Sequence, residues 1–364
     1  MKIISVFGTR PEAVKMAPVV AELRKHKSVE SKVLVTAQHR DMLDQVLDVF
    51  DIKPDYDLDV MQDNQTPTDV AAEVLKHIQP ILRQEQPDWI LVQGDTTTVL
   101  AASLAAFYSR VKVGHVEAGL RTHDRYNPFP EEINRVLADQ LSDLHFAPTE
   151  TSKKALLREG IEAKRVHVTG NTVIDALKFI VAQPFNGSLP HYPADKKLIL
   201  ITAHRRENFG EPFADMLRAM KNLADRDDTH LIYPVHPNPN VKNAAHAVLG
   251  KHPHVTLLPP MDYFAFAHLM GKAHLILTDS GGIQEEAPGL GVPVLVMRHV
   301  NERAEAVEAG TAKLVGTDTK VITDEAAKLL DDPAAHAKMA KAVNPFGDGH
   351  SAERIVKILL DHKE

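Results

Sequence analysis

Short apolar runs alternate with longer segments of helical periodicity along the whole chain. Before residue 183 the strand-like runs lie at 3–7, 32–36, 89–93, 112–116, 144–147 and 166–169. After residue 197 they lie at 198–202, 230–234, 255–258, 275–278 and 294–297. Runs with little polar alternation are typical of strands buried on both faces, so the pattern predicts α/β architecture with parallel sheets that are covered by helices on both sides.

One segment interrupts this alternation. Residues 183–197 (QPFNGSLPHYPADKK) contain three prolines and a glycine and have little apolar periodicity. A chain of 364 residues also exceeds the size at which one core keeps growing. We therefore predict two Rossmann-like doubly wound domains at 1–182 and 190–350. A C-terminal helix over 351–364 could join either domain, and we expect it to pack back on the first. Ligands bind beyond the carboxyl ends of such strands, so we expect one interdomain active-site cleft.

Composition narrows the function classes. The net charge is −7, which favours neither a nucleic-acid nor a membrane-surface partner. The chain has no cysteine, and its histidines show no metal-ligand spacing, so we expect no disulfide and no metal. The first strand is not followed by G-x-G-x-x-G, so a nicotinamide or flavin cofactor is not predicted. The apolar N-terminal run is too short for a secretory signal, which favours a cytoplasmic protein.

Polar residues follow the first strand and the third. Gly8, Arg10 and Lys15 lie in GTRPEAVK, where two cations near a helix N-terminus suit a phosphate group. An exposed turn with solvated cations explains that segment equally well. Asp95, in GDTTTV, follows the third strand and could either face a ligand or cap the next helix.

Two more carboxylates follow the fourth strand. Glu117, in HVEAGLR, ends a buried strand, and a structural ion pair with Arg121 is the alternative to a functional role. Glu131 opens a helix after Pro-Phe-Pro, and the helix dipole would stabilise it there without any function. Because these carboxylates and Asp95 come from successive strand ends, we expect them to converge and to raise one another's pKa. The neighbouring Glu132 is expected to face solvent or a regulatory site.

The second half offers a complementary set. His204 follows a strand in AHRREN, although a satisfied interior histidine is the simpler interpretation. Ser280, Gly281 and Gly282 can present backbone N–H groups to an anion, or can simply cap a helix. Glu286 lies farther along that helix and suits the hydroxyls of a ribose. The role of His236, in VHPNP, stays open.

Eight motifs together resemble the non-hydrolysing UDP-N-acetylglucosamine 2-epimerases, bacterial isomerases with the GT-B arrangement of two Rossmann-like domains. In family order they are FGTRPEAVKMAP, TAQHRDMLDQVL, GDTTT, HVEAGLR, PFPEEINR, TGNTVIDAL, HRREN and DSGGIQEEAP. The resemblance implies reversible conversion of UDP-N-acetylglucosamine to UDP-N-acetylmannosamine through elimination of UDP, with no cofactor and no metal. It also implies a homodimer whose ligand is a small-molecule nucleotide sugar.

The resemblance also assigns residues. It implies catalytic roles for Asp95, Glu117, Glu131 and His204. The substrate-binding positions it implies are Arg10, Lys15, Arg135, Met261, Phe266, Ser280, Gly281, Gly282, Glu286 and Arg303. A regulatory site like that of some bacterial members would use Gln38, His39, Gln65 and Glu132. The chain departs from the family pattern at Met261, at 300–304, and in the segment after Gln65.

Four alternatives stay open at this point. The substrate sugar could be a diacetamido or uronic-acid derivative, or the enzyme could be a hydrolysing epimerase that releases N-acetylmannosamine. A GT-B glycosyltransferase would need an acceptor. A sugar-nucleotide-binding regulator without turnover would gain nothing from clustered carboxylates beside an anionic ligand.

Overall fold

The computed structural model describes residues 1–36, 40–60, 65–185, 187–301 and 303–362. The regulatory candidates Gln38 and His39 lie outside the described residues. The chain divides into two compact units, one of Met1–Ala176 with Phe346–Glu364 and one of Leu177–Pro345. The sequence-based boundaries were residue 182 and residue 351.

The first unit is built on a parallel sheet of seven strands, in the order β3-β2-β1-β4-β5-β6-β7. The strands are β1 (Lys2–Phe7), β2 (Glu30–Val35), β3 (Tyr56–Asp57), β4 (Trp89–Gln93), β5 (Lys112–Val116), β6 (Leu144–Ala147) and β7 (Val166–Val168). The helices are α1 (Arg10–Arg24), α2 (Arg40–Val49), α3 (Pro67–Glu85), α4 (Thr97–Tyr108), α5 (Glu131–Leu141), α6 (Glu150–Arg158) and α7 (Thr172–Ala182), and the unit boundary falls inside α7. Across the sheet, the strand numbers fall from β3 to β1 and then rise from β4 to β7. Open α/β sheets bind ligands at such a reversal, which here lies between β1 and β4.

The second unit repeats this plan with six parallel strands, in the order β10-β9-β8-β11-β12-β13. The strands are β8 (Lys197–Thr202), β9 (Thr229–Pro234), β10 (Val255–Leu258), β11 (Leu275–Thr278), β12 (Val294–Val296) and β13 (Ala312–Leu314). The helices are α8 (Glu211–Ala224), α9 (Pro239–Leu249), α10 (Tyr263–Met270), α11 (Gly281–Gly289), α12 (Ala304–Glu308), α13 (Thr319–Asp331) and α14 (Pro333–Ala340). Here the reversal lies between β8 and β11.

The final helix, α15 (Ser351–Asp361), packs against α1 of the first unit. Its first turn is anchored by Asp175 of α7, whose Oδ1 accepts a hydrogen bond from the Ala352 N–H at 2.8 Å. An acceptor at this position satisfies one of the helix's otherwise unpaired N–H groups. None of the described helices combines the length and the apolar composition that a membrane-crossing segment requires.

Candidate active site

In the turn between β1 and α1, the backbone of Gly8 packs closely against the side chain of Thr36. A Cβ on Gly8 would lie 2.0 Å from Thr36 Oγ1, so only glycine fits there. Thr9 caps α1, and the buried Glu12 accepts the N–H groups of Gly8 and Thr9 at 2.9 Å and 2.7 Å. Glu12 also accepts the Thr96 hydroxyl at 2.6 Å, which ties this turn to the one after β4. Burial raises the pKa of Glu12, against the effect of these hydrogen bonds.

The predicted phosphate-binding cations occupy the first turns of α1. Arg10 is half-buried, and within the described parts of the chain its side chain has no ion-pair or hydrogen-bond partner. Lys15, one turn later, is instead bonded to Glu117, with 2.5 Å between Nζ and Oε1. The two cations therefore differ, because only Lys15 already neutralises a carboxylate.

Glu117 is held in an unusual conformation at the end of β5. Its φ is +67°, in the left-handed region that non-glycine residues rarely adopt. The carboxylate accepts hydrogen bonds from Lys15, from Asn171 Nδ2 at 2.9 Å, and from the Gln93 side chain through a short contact. The alternative of a structural ion pair between Glu117 and Arg121 is wrong. That guanidinium is bonded to Asp139 and Glu159, since it reaches both at 2.6 Å.

Asp95 lies beside Glu117 at the end of β4. Its carboxylate pairs with Arg135 at 2.8 Å, and its backbone carbonyl accepts Asn134 Nδ2 at 3.0 Å. Burial raises the pKa of Asp95, Arg135 opposes that effect, and the charges of Glu117 and Glu131 add to it. The capping alternative for Asp95 is wrong, since α4 is capped by Thr96, which accepts the Val99 N–H.

The two acids that open α5 have different surroundings. Glu131 is half-buried at the helix start, as predicted from the sequence. Glu132 is 3% exposed, so the expectation that it faces solvent is wrong. Its carboxylate accepts the N–H groups of Thr122 at 3.1 Å and His123 at 2.9 Å and lies 3.5 Å from Arg135. It is therefore an interior anchor for the loop before the helix.

The fourth regulatory candidate, Gln65, lies just before α3. Its amide nitrogen donates to the Val60 carbonyl at 2.7 Å. A regulatory role for Gln65 and Glu132 stays a prediction.

In the second unit, the loop after β8 is held by a buried carboxylate from the end of β11. Asp279 is fully buried, and its Oδ2 accepts the N–H groups of His204 and Arg205, both at 2.8 Å. The His204 ring is 39% exposed and stacks on His236, with 5.2 Å between ring centroids. Among the described residues no side-chain hydrogen bond to that ring is present, so the interpretation of a satisfied interior histidine is wrong. Burial lowers the pKa of His204, partly offset by the Asp279 charge.

At the glycine-rich start of α11, the Ser280 hydroxyl is not used to cap the helix. Ser280 stands at the capping position, yet its side chain makes no capping hydrogen bond. Gly281 and Gly282 follow as the first helical residues. Farther along, Glu286 Oε2 accepts the Tyr263 hydroxyl at 2.8 Å, which orients one face of this carboxylate. The arrangement suits an anion at the helix start and a donor group beside Glu286.

The remaining predicted contacts lie around this edge of the second sheet. Met261 and Phe266 are half-buried, before α10 and within it. Arg303 precedes α12 and pairs with Glu285, at 2.5 Å between Nε and Oε1. This partner was not predicted, and it partly neutralises the arginine.

Sequence reasoning missed several residues that hold these side chains in place. They are Glu12, Gln93, Asn171, Tyr263, Asp279 and Glu285. Asp279 could have been identified from the sequence, because it directly precedes the Ser-Gly-Gly motif. Gln93 and Asn171 carry no comparable local signal. In the part of the chain that the structure describes, no group of three His, Asp or Glu side chains has an arrangement that would hold a metal ion.

Two doubly wound parallel sheets, one ending in interacting carboxylates and the other in a glycine-rich helix start, define a two-domain α/β enzyme for an anionic, nucleotide-like substrate. A family model described as UDP-N-acetylglucosamine 2-epimerase matches residues 21–360. The chain belongs to this family, and the predicted resemblance and fold class are confirmed.

Curated relatives match over nearly their full length. The UDP-N-acetylglucosamine 2-epimerase of Escherichia coli K12 is 52% identical over 373 residues, covering 100% of this chain and 99% of the relative. That of Bacillus subtilis 168 is 51% identical over 363 residues, covering 100% and 96%.

Solved structures agree with this assignment. The Neisseria meningitidis UDP-GlcNAc 2-epimerase bound to UDP-GlcNAc has a TM-score of 0.86 and 49% identity, with full coverage of both chains. The Methanocaldococcus jannaschii enzyme in complex with UDP-GlcNAc and UDP has a TM-score of 0.78 and 35% identity, also with full coverage of both chains.

Proposed function

We propose that this protein interconverts UDP-N-acetylglucosamine and UDP-N-acetylmannosamine by reversible epimerisation at C2, without net hydrolysis. The observation that carries the proposal is the group of carboxylates that follow β4 and β5, where the charges of Glu117 and Glu131 act on the pKa of Asp95. Proton-transfer chemistry needs such interacting acids. The Neisseria relative in complex with UDP-GlcNAc supports the choice of substrate.

The chemistry explains why carboxylates are needed. The C2 hydrogen of the sugar is not beside a carbonyl, so its direct removal is unfavourable. If the C1–O bond breaks first, its electron pair leaves with UDP and C1 becomes oxocarbenium-like. C2–H is then acidic, and its loss to a base gives 2-acetamidoglucal. Return of the UDP oxygen to C1, with a proton delivered to the opposite face of C2, completes the epimerisation.

The surroundings of the carboxylates suggest a division of roles. Glu117 accepts hydrogen bonds from Lys15, Gln93 and Asn171, so it suits a fixed anion that stabilises positive charge at C1. Burial raises the pKa of Asp95, so it suits a group that gives up and takes back a proton. Glu131, whose charge acts on Asp95, is the candidate for the second proton carrier.

The leaving group needs positive charge and donors. Arg10 has no carboxylate partner in the described residues and lies in the first turn of α1, where the helix dipole also favours an anion. In the second unit, the Ser280 hydroxyl and the start of α11 suit the phosphates, and Glu286 suits the ribose hydroxyls. His204, whose pKa is lowered, is a neutral donor for the same group.

One NMR experiment separates this proposal from its alternatives. The protein is incubated with UDP-N-acetylglucosamine in D2O, and we expect UDP-N-acetylmannosamine with deuterium at C2. Free N-acetylmannosamine as the main product would indicate a hydrolysing epimerase. No change would indicate a glycosyltransferase, a non-catalytic binder, or an epimerase of a modified sugar, and the diacetamido and uronic-acid nucleotides are then tested in turn.

Glu117→Gln tests the role of the central carboxylate. The variant keeps the side-chain volume but removes the charge, so we expect deuterium exchange to fall by at least about 10²-fold. UDP binding stays measurable by calorimetry, because the nucleotide contacts are elsewhere. Glu150→Gln, at the exposed start of α6, is the matched control. Wild-type turnover in Glu117→Gln would remove Glu117 from the mechanism.

A homodimeric state and a cytoplasmic location belong to the same proposal. The first follows from the family resemblance, and sedimentation of the purified protein tests it.

A further inference from the structure

A buried network lies behind the proposed catalytic carboxylates. His115, in β5, and Asp139, in α5, are both 0% exposed. His115 Nδ1 lies 2.7 Å from Asp139 Oδ1, and His115 Nε2 lies 2.7 Å from the carbonyl oxygen of Gly94. Asp139 Oδ2 accepts Arg121 Nη2 at 2.6 Å and the Gly119 N–H at 3.3 Å.

These contacts determine the protonation of His115. A backbone carbonyl can only accept a hydrogen bond, and an ionised carboxylate can only accept one. A neutral imidazole carries one N–H, so at one of the two contacts a ring lone pair would face an oxygen lone pair. With Asp139 ionised, both contacts are satisfied only if both ring nitrogens carry a proton.

The charges around the pair support an ionised Asp139 and a protonated His115. Burial alone would raise the pKa of Asp139, but His115 and Arg121 hold it below its usual range. Burial alone would lower the pKa of His115, but the Asp139 charge and hydrogen bonds raise it overall. Glu159 balances Arg121 from the other side. The four groups therefore form a set with no net charge, in which a buried cation is tolerated.

The neighbouring His145 provides a contrast. It lies in β6, also 0% exposed, and its Nε2 lies 2.7 Å from the Asp139 carbonyl. Its Nδ1 is 3.3 Å from the Arg165 carbonyl, so both ring nitrogens face acceptors, but neither acceptor is a carboxylate that would balance a buried positive charge. A neutral ring then leaves its bare nitrogen at this longer contact, where two facing lone pairs repel least. Burial lowers the pKa of His145. Two buried histidines on adjacent strands are therefore expected in opposite protonation states.

The network is attached to both catalytic loops. Gly94, whose carbonyl bonds His115, directly precedes Asp95 and has a φ of +79°. Gly119, whose N–H bonds Asp139, follows Glu117 by two residues. We propose that His115 is a stably protonated imidazolium which, together with Asp139, positions Asp95 for proton transfer and Glu117 as the fixed anion beside C1. These are positioning residues, and the inference rests on the proposed function.

The protonation is tested by NMR on protein labelled with ¹⁵N at its histidine rings. The chain has 20 histidines, so His115→Gln and His145→Gln difference spectra assign the two signals. We expect both nitrogens of His115 to keep their protons at pH values above the ordinary histidine pKa of about 6.5. His145 should show one bare nitrogen over the same range. Asp139→Asn should make His115 neutral. A neutral His115 in the wild-type protein overturns the proposal.

The positioning role is tested by kinetics. His115→Gln can replace only one of the two hydrogen bonds, so we expect kcat to fall about 10- to 100-fold, as for small displacements of catalytic groups. The KM for UDP-N-acetylglucosamine and the Kd for UDP should change by less than about threefold, because a displacement confined to the reacting groups lowers kcat and kcat/KM together. His77→Gln, on the exposed face of α3, is the matched control and should behave as wild type.

Each outcome decides a separate question. A folded His115→Gln protein with wild-type kcat, or with kcat unchanged and KM raised, overturns the positioning role. If that variant does not fold, the wild-type spectrum and Asp139→Asn still decide the protonation, and the kcat of Asp139→Asn decides the positioning. Failure of the proposed function is distinct, since the wild-type protein itself would then not epimerise the substrate.

Discussion

The ion pair between Arg135 and Asp95 sets the pH at which Asp95 changes charge. Arg135 Nη2 lies 2.8 Å from Asp95 Oδ2, and the arginine side chain is 10% exposed. Burial raises the pKa of Asp95, and Arg135 is the main influence that lowers it. Arg135→Met preserves the length of the side chain and removes its charge. The pKa of Asp95 should therefore rise further above its usual range.

The size of this shift follows from the geometry. An opposite charge at contact distance lowers a carboxyl pKa by about 1 to 3 units. The Asp95 side chain is 30% exposed, so water screens part of the attraction and the lower end of that range applies. We expect a rise of about one unit, equivalent to about 1.4 kcal/mol.

The assay is the pH dependence of kcat/KM for epimerisation, which reports the ionisations of the free enzyme. If ionised Asp95 is the active form, the acid limb moves to higher pH. If protonated Asp95 is active, the alkaline limb moves the same way. The position of a limb does not depend on the absolute rate, so loss of a substrate contact does not imitate the shift. Arg135→Lys keeps the charge and should move the limb by less than half as much. A limb that stays in place in Arg135→Met refutes the role of Asp95.

Two further predictions concern stability. Hydrogen bonds, chiefly the one from Lys32, lower the pKa of Glu85 from 4.5 to about 2. The ionised carboxylate therefore stabilises the fold fully above the pKa of the unfolded state, and this stabilisation is lost as the pH falls through the pKa of the folded state. Glu85→Gln should lower the free energy of unfolding in urea by about 2 kcal/mol at pH 7, and the deficit should vanish towards pH 2. Asp175→Ala removes the acceptor for the Ala352 N–H and should cost about 1 kcal/mol, with faster amide exchange confined to the first turn of α15. Unchanged exchange in α15 would contradict that anchoring role.

The sequence predicted most strands well but missed two short edge strands. The bounds of β4, β5, β6, β10 and β11 match the predicted ranges, because the apolar residues there end abruptly at a polar residue or a proline. The strands β3 and β13 were not predicted, since they have only two and three residues. They are held by pairing with β2 and β12, and such pairing leaves no periodic signal in so short a segment.

The sequence identified candidate residues at strand ends but did not predict which side chains pair with them. Asp95, Glu117 and His204 could be found because each follows directly after an apolar strand. Their partners could not, because partnership depends on which strands are neighbours. Lys15 meets Glu117 across 102 residues of sequence, and Asn171 meets it across 54. Only the order of the strands in the sheet brings these segments together.

The backbone of Glu117 is strained, because its φ lies in the left-handed region. A left-handed φ at a residue with a Cβ costs about 1–2 kcal/mol, and a glycine in its place would remove that cost. The strain is therefore maintained by the side chain, whose carboxylate is held by Lys15, Gln93 and Asn171. The left-handed turn aims the carboxylate back towards the end of β4, where its charge acts on Asp95. Stability is thus given up at Glu117 to bring the two carboxylates together, as expected where backbone strain is stored for function.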